Sequence, residues 1–401
     1  MKILWIKANK LLPLHSGGDI RSFQILRHLS SRHQVTFLSY YDGAEDEKYR
    51  AELKTHFPAS VAVCTGKPHH LLSRGFSYLR GLPSPVPHAV GRFASPRVKE
   101  KISTLLRNGG FDVIVADFLD AAINLPDNIT IPVVLFQHNV ESEIWRRHAA
   151  TESNRAKRLV YQFEFKKMLQ YEQTAIQKFQ HVIAVSQHDR QLMLPWIDAS
   201  RLTVVPTGVD VEQYRPRADD RETGHVVMFV GAMDWEPNID GVEFFRDEIW
   251  GLVLAEIPDA RWFIVGRNPD RRVRKLASSS IEITGRVESV ADYFRKATVV
   301  VVPLRIGGGT RLKIYEAMAA GKAVVSTTVG AEGLDVSPGR DIMIADDPRA
   351  FAEAVVSLLK DRELRRRYEH SAFETAGKCD WSVVAAKFAE VLESVVSRPR
   401  Q

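Results

Sequence analysis

The chain has 401 residues, 45% of them hydrophobic and 26% charged, so two domains with separate cores fit within it. Its two cysteines are too few for a disulfide framework or a zinc site, which fits a reducing compartment. The net charge of +6 suits anionic small molecules, an anionic membrane surface or nucleic acid. No nucleic-acid-binding motif accompanies that charge, so we expect no nucleic-acid partner.

The N-terminal stretch, MKILWIKANKLLPLHSGGD, has a short apolar run that Lys7, Asn9 and Lys10 interrupt. A signal peptide needs a longer apolar core and a small-residue cleavage site. No segment of the sequence reaches the roughly 20 apolar residues of a membrane-spanning helix. The sequence therefore predicts a cytoplasmic protein whose only membrane contact would be peripheral, on the inner face.

In the first half of the chain, short runs rich in Val and Ile alternate with helical patterns. Strands are predicted at 2–8, 33–40, 111–118, 132–138, 181–186 and 201–206, and helices at 19–31 and 152–179. This alternation indicates a parallel sheet with helices on both faces.

The second half repeats the alternation after a linker, PTGVDVEQYRPRADDRETGH, at 206–225. Strands are predicted at 226–231, 261–266, 281–285, 299–304 and 323–328, with helices at 238–250 and from 347 onward. We therefore expect two successive doubly wound, Rossmann-like α/β domains, 1–205 and 206–382. Ligands of such sheets bind beyond the carboxyl ends of the strands, so the expected site is the cleft between the domains.

A glycine-rich loop follows the strand at 299–304, in the sequence RIGGGTRLKIYEAMAAGKAVVSTT. The loop consists of Gly307, Gly308, Gly309 and Thr310. Glycines let the backbone approach a ligand, and a helix start offers free N–H groups to an anion. Arg311 and Lys313 oppose the helix dipole at that end, which a bound anion would offset. Glu316 lies on the same helix face as Lys313. The loop is not a Walker motif, because the G-x-x-x-x-G-K-[ST] spacing is absent.

This loop and helix resemble the donor-site motif of retaining glycosyltransferases of the GT-B fold, the family 4 (group 1) type. The usual motif there is E-x7-E, with its second Glu on the nucleotide ribose. Glu316 matches the second Glu, whereas Gly308 stands at the first position. The chain instead resembles the branch that reads G-G-T-R-L-K-x-x-E-A, in which backbone N–H groups of the loop could hold the donor sugar.

Four further segments carry the same resemblance. FVGAMDWEPNIDG at 229–241, which contains Gly231, lacks the Arg and Lys that many relatives use for the diphosphate, so we infer that Arg311 and Lys313 replace them. ITGRV at 283–287, with Arg286 and Val287, resembles the segment whose backbone meets the nucleobase. HSGGDIR at 15–21 resembles a glycine pair, including Gly18, that meets the diphosphate or the acceptor. CDWSVVAAKF at 379–388 resembles a last helix that returns to the first domain at about 383–401.

The histidine of QHNVE, His138, ends the strand at 132–138 and matches a family histidine that lies near the donor sugar and phosphate. The resemblance implies a catalytic set of His138, Arg311 and Lys313. His138 would bind the sugar or stabilise charge rather than act as a base. Without a carboxylate nucleophile, the family mechanism is front-face attack, with the diphosphate taking the acceptor's proton.

The function implied by the resemblance is transfer of a sugar from a nucleoside diphosphate sugar, UDP- or GDP-linked, to an acceptor hydroxyl with retention. The acceptor would be a glycan, a lipid-linked sugar or a small molecule, as in polysaccharide biosynthesis. No cofactor is expected, and no metal, because the donor region has no aspartate-rich motif. Two alternatives remain at this point: a nucleotide-sugar epimerase of the same fold, and a two-domain solute-binding protein.

Two basic, partly apolar regions could either contact a membrane or pack on the first domain. Residues 69–83 mix Leu, Phe and Tyr with Arg74 and Arg80, and a predicted helix has basic residues at 146–148 and 157–158. Either region could rest on an anionic bilayer, as a lipid-linked acceptor would require. Either could equally pack on the first domain as an acceptor-side loop or helix.

Overall fold

The structure, a computed structural model, describes residues 1–14, 16–66, 84–152, 154–217, 224–306 and 311–398. Its contacts divide the chain into two units. The first unit is Met1–Pro206 together with Val384–Gln401, and the second is Thr207–Val383.

The first unit contains a seven-stranded sheet in which every neighbouring pair is parallel. Its strands are β1 (Lys2–Ala8), β2 (Gln34–Tyr41), β3 (Ser60–Cys64), β4 (Val113–Asp117), β5 (Val133–Gln137), β6 (His181–Ala184) and β7 (Leu202–Val204). The strand order is β3-β2-β1-β4-β5-β6-β7. All residues of β4 and β5 are buried, because helices cover both faces of a parallel sheet.

The helices of this unit connect successive strands. They are α1 (Gly17–Ser30), α2 (Glu47–His56), α3 (His88–Gly91), α4 (Pro96–Gly109), α5 (Leu119–Ala122), α6 (Glu141–Thr151), α7 (Arg155–Ile176) and α8 (Gln187–Met193), with a 3-10 turn at Ala199–Arg201. The start of α1 is fixed by a capping box in which Ser16 and Asp19 each accept a hydrogen bond from the other's backbone N–H.

The second unit has a six-stranded parallel sheet in the order β10-β9-β8-β11-β12-β13. Its strands are β8 (Val226–Val230), β9 (Arg261–Val265), β10 (Ile281–Gly285), β11 (Val299–Val302), β12 (Ala323–Ser326) and β13 (Met343–Ile344). Its helices are α9 (Val211–Tyr214), α10 (Glu236–Phe244), α11 (Gly251–Glu256), α12 (Arg271–Arg274), α13 (Val290–Lys296), α14 (Leu312–Ala319), α15 (Thr328–Ala331), α16 (Pro348–Lys360) and α17 (Arg362–Lys378). A π-helical turn, Phe245–Trp250, joins α10 to α11.

The last helix, α18 (Trp381–Ser397), begins in the second unit and continues into the first. Phe388 of this helix packs on Trp5 and Phe136, with ring centroids 5.4 and 5.0 Å apart. Phe388 and Trp5 are fully buried, so the final helix completes the core of the first unit.

The order of each sheet reverses at one point, between β1 and β4 in the first unit and between β8 and β11 in the second. At such a switch point the connections leave toward opposite faces and open a crevice at the carboxyl ends of the two strands. The predicted fold class, two doubly wound parallel-sheet domains, is confirmed. Along the described residues, no helix combines the length and the apolar character that crossing a membrane requires.

Some predicted elements differ in detail. The helix predicted at 152–179 is preceded by a separate helix, α6, and itself ends at Ile176. The helix predicted at 238–250 starts at Glu236 and changes to π geometry after Phe244. The sequence does not predict β3, since its five residues, SVAVC, give too short a run to stand out.

Candidate functional site

The switch point of the second unit brings Gly231, Asn238 and Lys313 together. Gly231 follows β8, and the Nζ of Lys313 donates to Oδ1 of Asn238 at 2.8 Å. The same ammonium lies 4.2 Å from the centroid of the Phe229 ring. A Cβ added at Gly231 would stand 2.9 Å from the Lys313 nitrogen and 2.6 Å from Nδ2 of Asn238. Glycine at 231 therefore leaves the room that the lysine head group occupies.

Burial lowers the pKa of Lys313 to about 7, although the nearby Glu316 opposes the shift. The residue is nevertheless half-buried rather than sealed from solvent. An ammonium with this pKa lacks a full counter-charge, and a bound phosphate would supply one. The surroundings of Lys313 at the carboxyl end of β8 therefore suit an anion.

Glu316 lies one helical turn beyond Lys313, on the same face of α14. Its carboxylate is hydrogen-bonded to the hydroxyl of Tyr214 in α9, and burial raises the pKa of Glu316 while that bond and Lys313 oppose the rise. The glutamate is half-buried. A carboxylate held by one tyrosine retains acceptor capacity for the hydroxyl groups of a ligand.

Arg311 stands at the N-cap of α14, and the helix begins at Leu312. Its guanidinium is buried and lies 3.6 Å from the carboxylate of Glu332. Arg311 therefore has an acidic partner within ion-pair distance. The four loop residues predicted to bind the donor, Gly307, Gly308, Gly309 and Thr310, lie outside the described residues.

The turns after β8, β9 and β10 are joined by backbone contacts. The N–H of Gly231 donates to the carbonyl of Val265 at 3.0 Å, and that of Gly266 to the carbonyl of Gly285 at 3.3 Å. A Cβ at Gly266 would lie 1.6 Å from the Gly231 oxygen, so the two backbones touch directly. The predicted nucleobase residues, exposed Arg286 and half-buried Val287, follow β10. They lie two strands from β8, or about 10 Å.

The switch point of the first unit holds a buried network of charged side chains around Asp117. Its Oδ2 accepts from the indole N–H of Trp5 at 3.0 Å and lies 3.5 Å from the ammonium of Lys7. Its Oδ1 lies 2.8 Å from Nε2 of His138, within hydrogen-bonding distance although the alignment is imperfect. Burial alone would raise the pKa of Asp117, but Lys7 and His138 outweigh it and hold that pKa well below its ordinary value.

His138 has both ring nitrogens engaged within the protein. Nδ1 is 2.9 Å from the guanidinium of Arg21, which only donates, so Nδ1 accepts and the ring proton lies on Nε2, facing Asp117. The ring stacks on Phe118 with centroids 3.8 Å apart. Burial lowers the pKa of His138 to about 3 despite the opposing charge of Asp117. The imidazole is therefore neutral at pH 7 and offers no free nitrogen to a substrate in this geometry.

Gly18 lies beside this network at the start of α1. A Cβ there would stand 2.9 Å from the Phe118 ring and 3.6 Å from Nδ1 of His138. Phe118 itself has φ of +69°, and Asn9 at the end of β1 has φ of +68°. Asparagine adopts such angles fairly readily, whereas a bulky residue such as Phe118 does so only under local constraint, and such constrained residues concentrate at functional sites.

A cavity of about 340 Å³ opens next to the same switch point. The residues that give it its chemistry are Lys7, Lys10, Asp19, Arg92, Asp120 and Glu141. Burial raises the pKa of Asp120 to about 6, and burial followed by the charge of Glu172 raises that of Glu141 to about 8. Oδ1 of Asp120 is buried without a hydrogen-bond partner among the described residues. Protonated and ionised carboxyls side by side suit a ligand that carries hydroxyl groups.

The sequence predicts Gly18, Gly231, His138, Lys313 and Glu316 as site residues, and the structure places each of them at a switch point. The sequence does not predict that Lys7 and Asn238 also lie at the switch points. A lysine inside an otherwise apolar strand, KILWIKA, was the available signal for Lys7. Asn238 gave no such signal, because its partner Lys313 is 75 residues away.

Two parallel doubly wound units with polar side chains at both switch points define an α/β protein of the GT-B fold. Two family models match the chain: Glycosyltransferase Family 4 over residues 16–213, and Glycosyl transferases group 1 over residues 224–361. The chain belongs to this family of group 1, or family 4, glycosyltransferases, which confirms the resemblance seen in the sequence.

Among curated proteins, the chain is similar to the phosphatidyl-myo-inositol mannosyltransferases of Mycolicibacterium smegmatis and Mycobacterium leprae. The identities are 33% and 31% over 225 residues, which cover 53% and 54% of this chain. The matches span 57% and 59% of those relatives, so the chain covers little more than half of their length.

Among solved structures, the chain is similar to Anabaena Alr3699/HepE in complex with UDP and glucose. The TM-score is 0.65 at 16% identity, with 98% of this chain and all of that chain covered. At this identity the likeness establishes the fold.

Proposed function

We propose that the protein transfers a sugar from a nucleoside diphosphate sugar to an acceptor hydroxyl. The observation that carries the proposal is the placement of Lys313 and Glu316 on one face of α14, with Lys313 beside Gly231 at the switch point of the second unit. A cation and a carboxylate one helical turn apart match the diphosphate and the ribose of a nucleotide. Family membership supports this interpretation, as does the likeness in fold to HepE, whose structure contains UDP and glucose.

In this proposal, Lys313 and the N-terminus of α14 hold the diphosphate, and Arg311 adds positive charge at the helix start. Glu316 accepts hydrogen bonds from the ribose hydroxyls. The backbone at Arg286 and Val287 meets the base. Fixed charges of this kind stabilise the negative charge that develops on the leaving diphosphate, which is usually the largest single catalytic contribution.

We further propose that the reaction retains the anomeric configuration by front-face attack. The acceptor oxygen bonds to the anomeric carbon as the bond from that carbon to the diphosphate oxygen breaks, and the acceptor proton passes to the departing diphosphate. The internal bonding of His138 fits this route, since a histidine with both nitrogens engaged is not a general base. We propose that the route needs no metal; activity that survives EDTA would support this, and loss restored by Mg²⁺ would contradict it.

The acceptor site proposed here is the cavity of the first unit that contains Asp120 and Glu141. Its carboxyls would bind acceptor hydroxyls, which suits a sugar or cyclitol ring. The relatives named above act on phosphatidyl-myo-inositol, as their names state, and an acceptor of that general kind is a proposal for this chain.

The test is thermal unfolding with UDP, GDP, ADP and dTDP in turn. A ligand at 100 times its dissociation constant adds about 2.7 kcal/mol of stability, and this raises the melting temperature by several degrees. We expect one nucleotide to produce the shift and Glu316→Gln to abolish most of it, while Glu353→Gln, an exposed glutamate of α16, keeps it. No shift with any nucleotide at millimolar concentration would contradict the donor site.

A second measurement separates transfer from epimerisation. The nucleotide sugar is incubated with the protein without an acceptor, and its sugar is then identified. A transferase leaves the sugar unchanged apart from slow hydrolysis, whereas an epimerase converts it.

A further inference from the structure

The helical hairpin of α6 and α7 in the first unit exposes an apolar surface. Leu159, Val160 and Phe163 of α7 are 66%, 44% and 45% exposed. Residues 159 and 163 are four positions apart, and 160 and 163 are three apart, so the three side chains share one side of the helix. We refer to these three residues as the apolar face of α7. Large apolar side chains grouped in this way on a surface indicate a contact partner.

Packing within the hairpin shows that this face points away from α6. Tyr161 of α7 contacts Trp145 and His148 of α6, with ring centroids 6.0 and 5.7 Å apart. Tyr161 lies two residues from both Leu159 and Phe163, about 200° around the helix. The side of α7 that packs on α6 is thus opposite the apolar face, and the face remains open after the hairpin has formed.

Basic residues lie at the start of α7, next to the apolar face. The segment 155–163, at the start of α7, reads RAKRLVYQF, with three basic residues and no acidic one. Within the described part of the chain, Arg155, Lys157 and Arg158 form no ion pair. Lys167 continues the surface, with its ammonium 5.8 Å from the centroid of the Phe163 ring. The start of the helix therefore presents apolar side chains within a field of positive charge.

We propose that the apolar face of α7 and its basic border form a docking surface for an anionic lipid bilayer. Apolar side chains flanked by Lys and Arg are the features by which a helix lies in a membrane interface, with the apolar part among the acyl chains and the cations at the headgroups. The charge favours this occupant over a second copy of the chain, because two copies meeting at this face would bring like charges together. The docking is independent of nucleotide binding.

The test is flotation of the purified full-length protein, without nucleotide, with phosphatidylcholine vesicles that contain or lack phosphatidylglycerol. We expect flotation with the anionic vesicles, weaker binding to the neutral ones, and release as the salt concentration rises. The double substitution Leu159→Glu/Phe163→Glu should weaken partition at least about tenfold, since it removes two apolar anchors. Lys157→Glu should weaken it about fivefold or more, since it removes one cation and adds an anion.

The matched control is Leu252→Glu, which changes a 40% exposed leucine of α11 in the other unit and should float like the unmodified protein. Equal melting temperatures and nucleotide shifts show that the variants are folded. Flotation that is equal in the double variant and the unmodified protein, or absent with anionic vesicles, would overturn the proposal. Sedimentation velocity adds one more outcome: a dimer that the double variant dissociates, with no flotation, would assign the face to a second copy.

Discussion

Lys313 should make nucleotide binding depend on pH. Its pKa is about 7 in the free protein because of burial, and a bound diphosphate stabilises the ammonium and raises that pKa. Nucleotide affinity should therefore be highest below pH 7 and fall as pH rises, by up to about tenfold per unit, until the pKa of the complex is passed. Isothermal titration of the nucleotide identified by thermal shift, at a series of pH values from 6 to 9, measures this directly.

The control compares two lysines of the same unit. Lys313→Met should lose most of the affinity together with its pH dependence above 7. Lys275→Met, at an exposed position after α12, should keep both. If Lys313→Met retained the same pH dependence, another group would be responsible and the phosphate role of Lys313 would fail.

His138 should prove to be a positioning residue. Its substitution by alanine leaves the buried Arg21 guanidinium and Asp117 carboxylate without the imidazole that each contacts, and an unsatisfied buried polar group costs about 1–3 kcal/mol of stability. Asparagine can accept from Arg21 and donate to Asp117, so His138→Asn should keep more stability and more activity than His138→Ala. Equal loss of kcat in the two variants, with unchanged folding, would instead indicate a direct catalytic role.

The pH dependence of stability gives a second measurement on the same residue. The pKa of His138 is about 3 in the folded protein, against an ordinary value of 6.5, so the unfolded chain binds the proton first as pH falls. The contribution of neutral His138 is complete above pH 6.5 and is lost as pH falls toward 3. The free energy of unfolding should therefore fall less steeply between about pH 6.5 and 4 in His138→Asn than in the unmodified protein.

At the scale of the secondary-structure elements, the backbone of the turn after β9 packs directly against the backbone of the turn after β8. A Cβ on Gly266 would stand 1.6 Å from the Gly231 oxygen, and that oxygen is backbone, which cannot swing aside. Gly266→Ala should destabilise the protein by about 1–3 kcal/mol and also weaken nucleotide binding, because Gly231 borders Lys313. Denaturant unfolding and nucleotide titration measure the two effects.

Gly251→Ala is the matched comparison. Gly251 begins α11 with φ of −59°, and a Cβ there meets nothing within 4 Å. Alanine at this position should stabilise the protein by about 0.4–1 kcal/mol and leave binding unchanged. Equal effects of the two substitutions would show that the contact between Gly266 and Gly231 has no influence on the site.

The elements that position the site could be predicted because their signals are local. VVMFV and VVVV are runs of a length and composition that buried parallel strands share. The partners of Lys313 and of His138 could not be predicted in this way. Lys313 and Asn238 are 75 residues apart, and His138 and Arg21 are 117 apart, so their contacts depend on the strand order.

The sequence also could not show that Arg311 and Lys313 differ in burial and in their side-chain partners. Both are basic residues near a helix start, yet Arg311 is buried beside Glu332, whereas Lys313 is half-buried with only the amide of Asn238 as hydrogen-bond partner among the described residues. Burial and pairing depend on side chains that reach the site from other elements. For that reason we assign the larger share of phosphate binding to Lys313.

At the scale of the whole molecule, the two units repeat one architecture and differ at their switch points. The first has a network in which Lys7 and Arg21 are compensated by Asp117 and neighbouring groups. The second has Lys313 with a lowered pKa and, among the residues described, no acidic neighbour closer than Glu316 one turn away. An anionic ligand gains more electrostatic stabilisation at the switch point of the second unit than at that of the first. The nucleotide should therefore be bound chiefly by the Thr207–Val383 unit.

Hydrogen exchange followed by mass spectrometry checks this assignment on the intact protein. The nucleotide should slow amide exchange most in peptides covering 226–241 and α14, because binding raises the free energy of local opening where the ligand makes its contacts. Peptides that cover β6 in the first unit and the exposed start of α7 should exchange as before. The Glu316→Gln protein at the same nucleotide concentration should show little protection. Protection that is as strong in that variant, or strongest in the first unit, would show that the nucleotide binds elsewhere than the switch point of the second sheet.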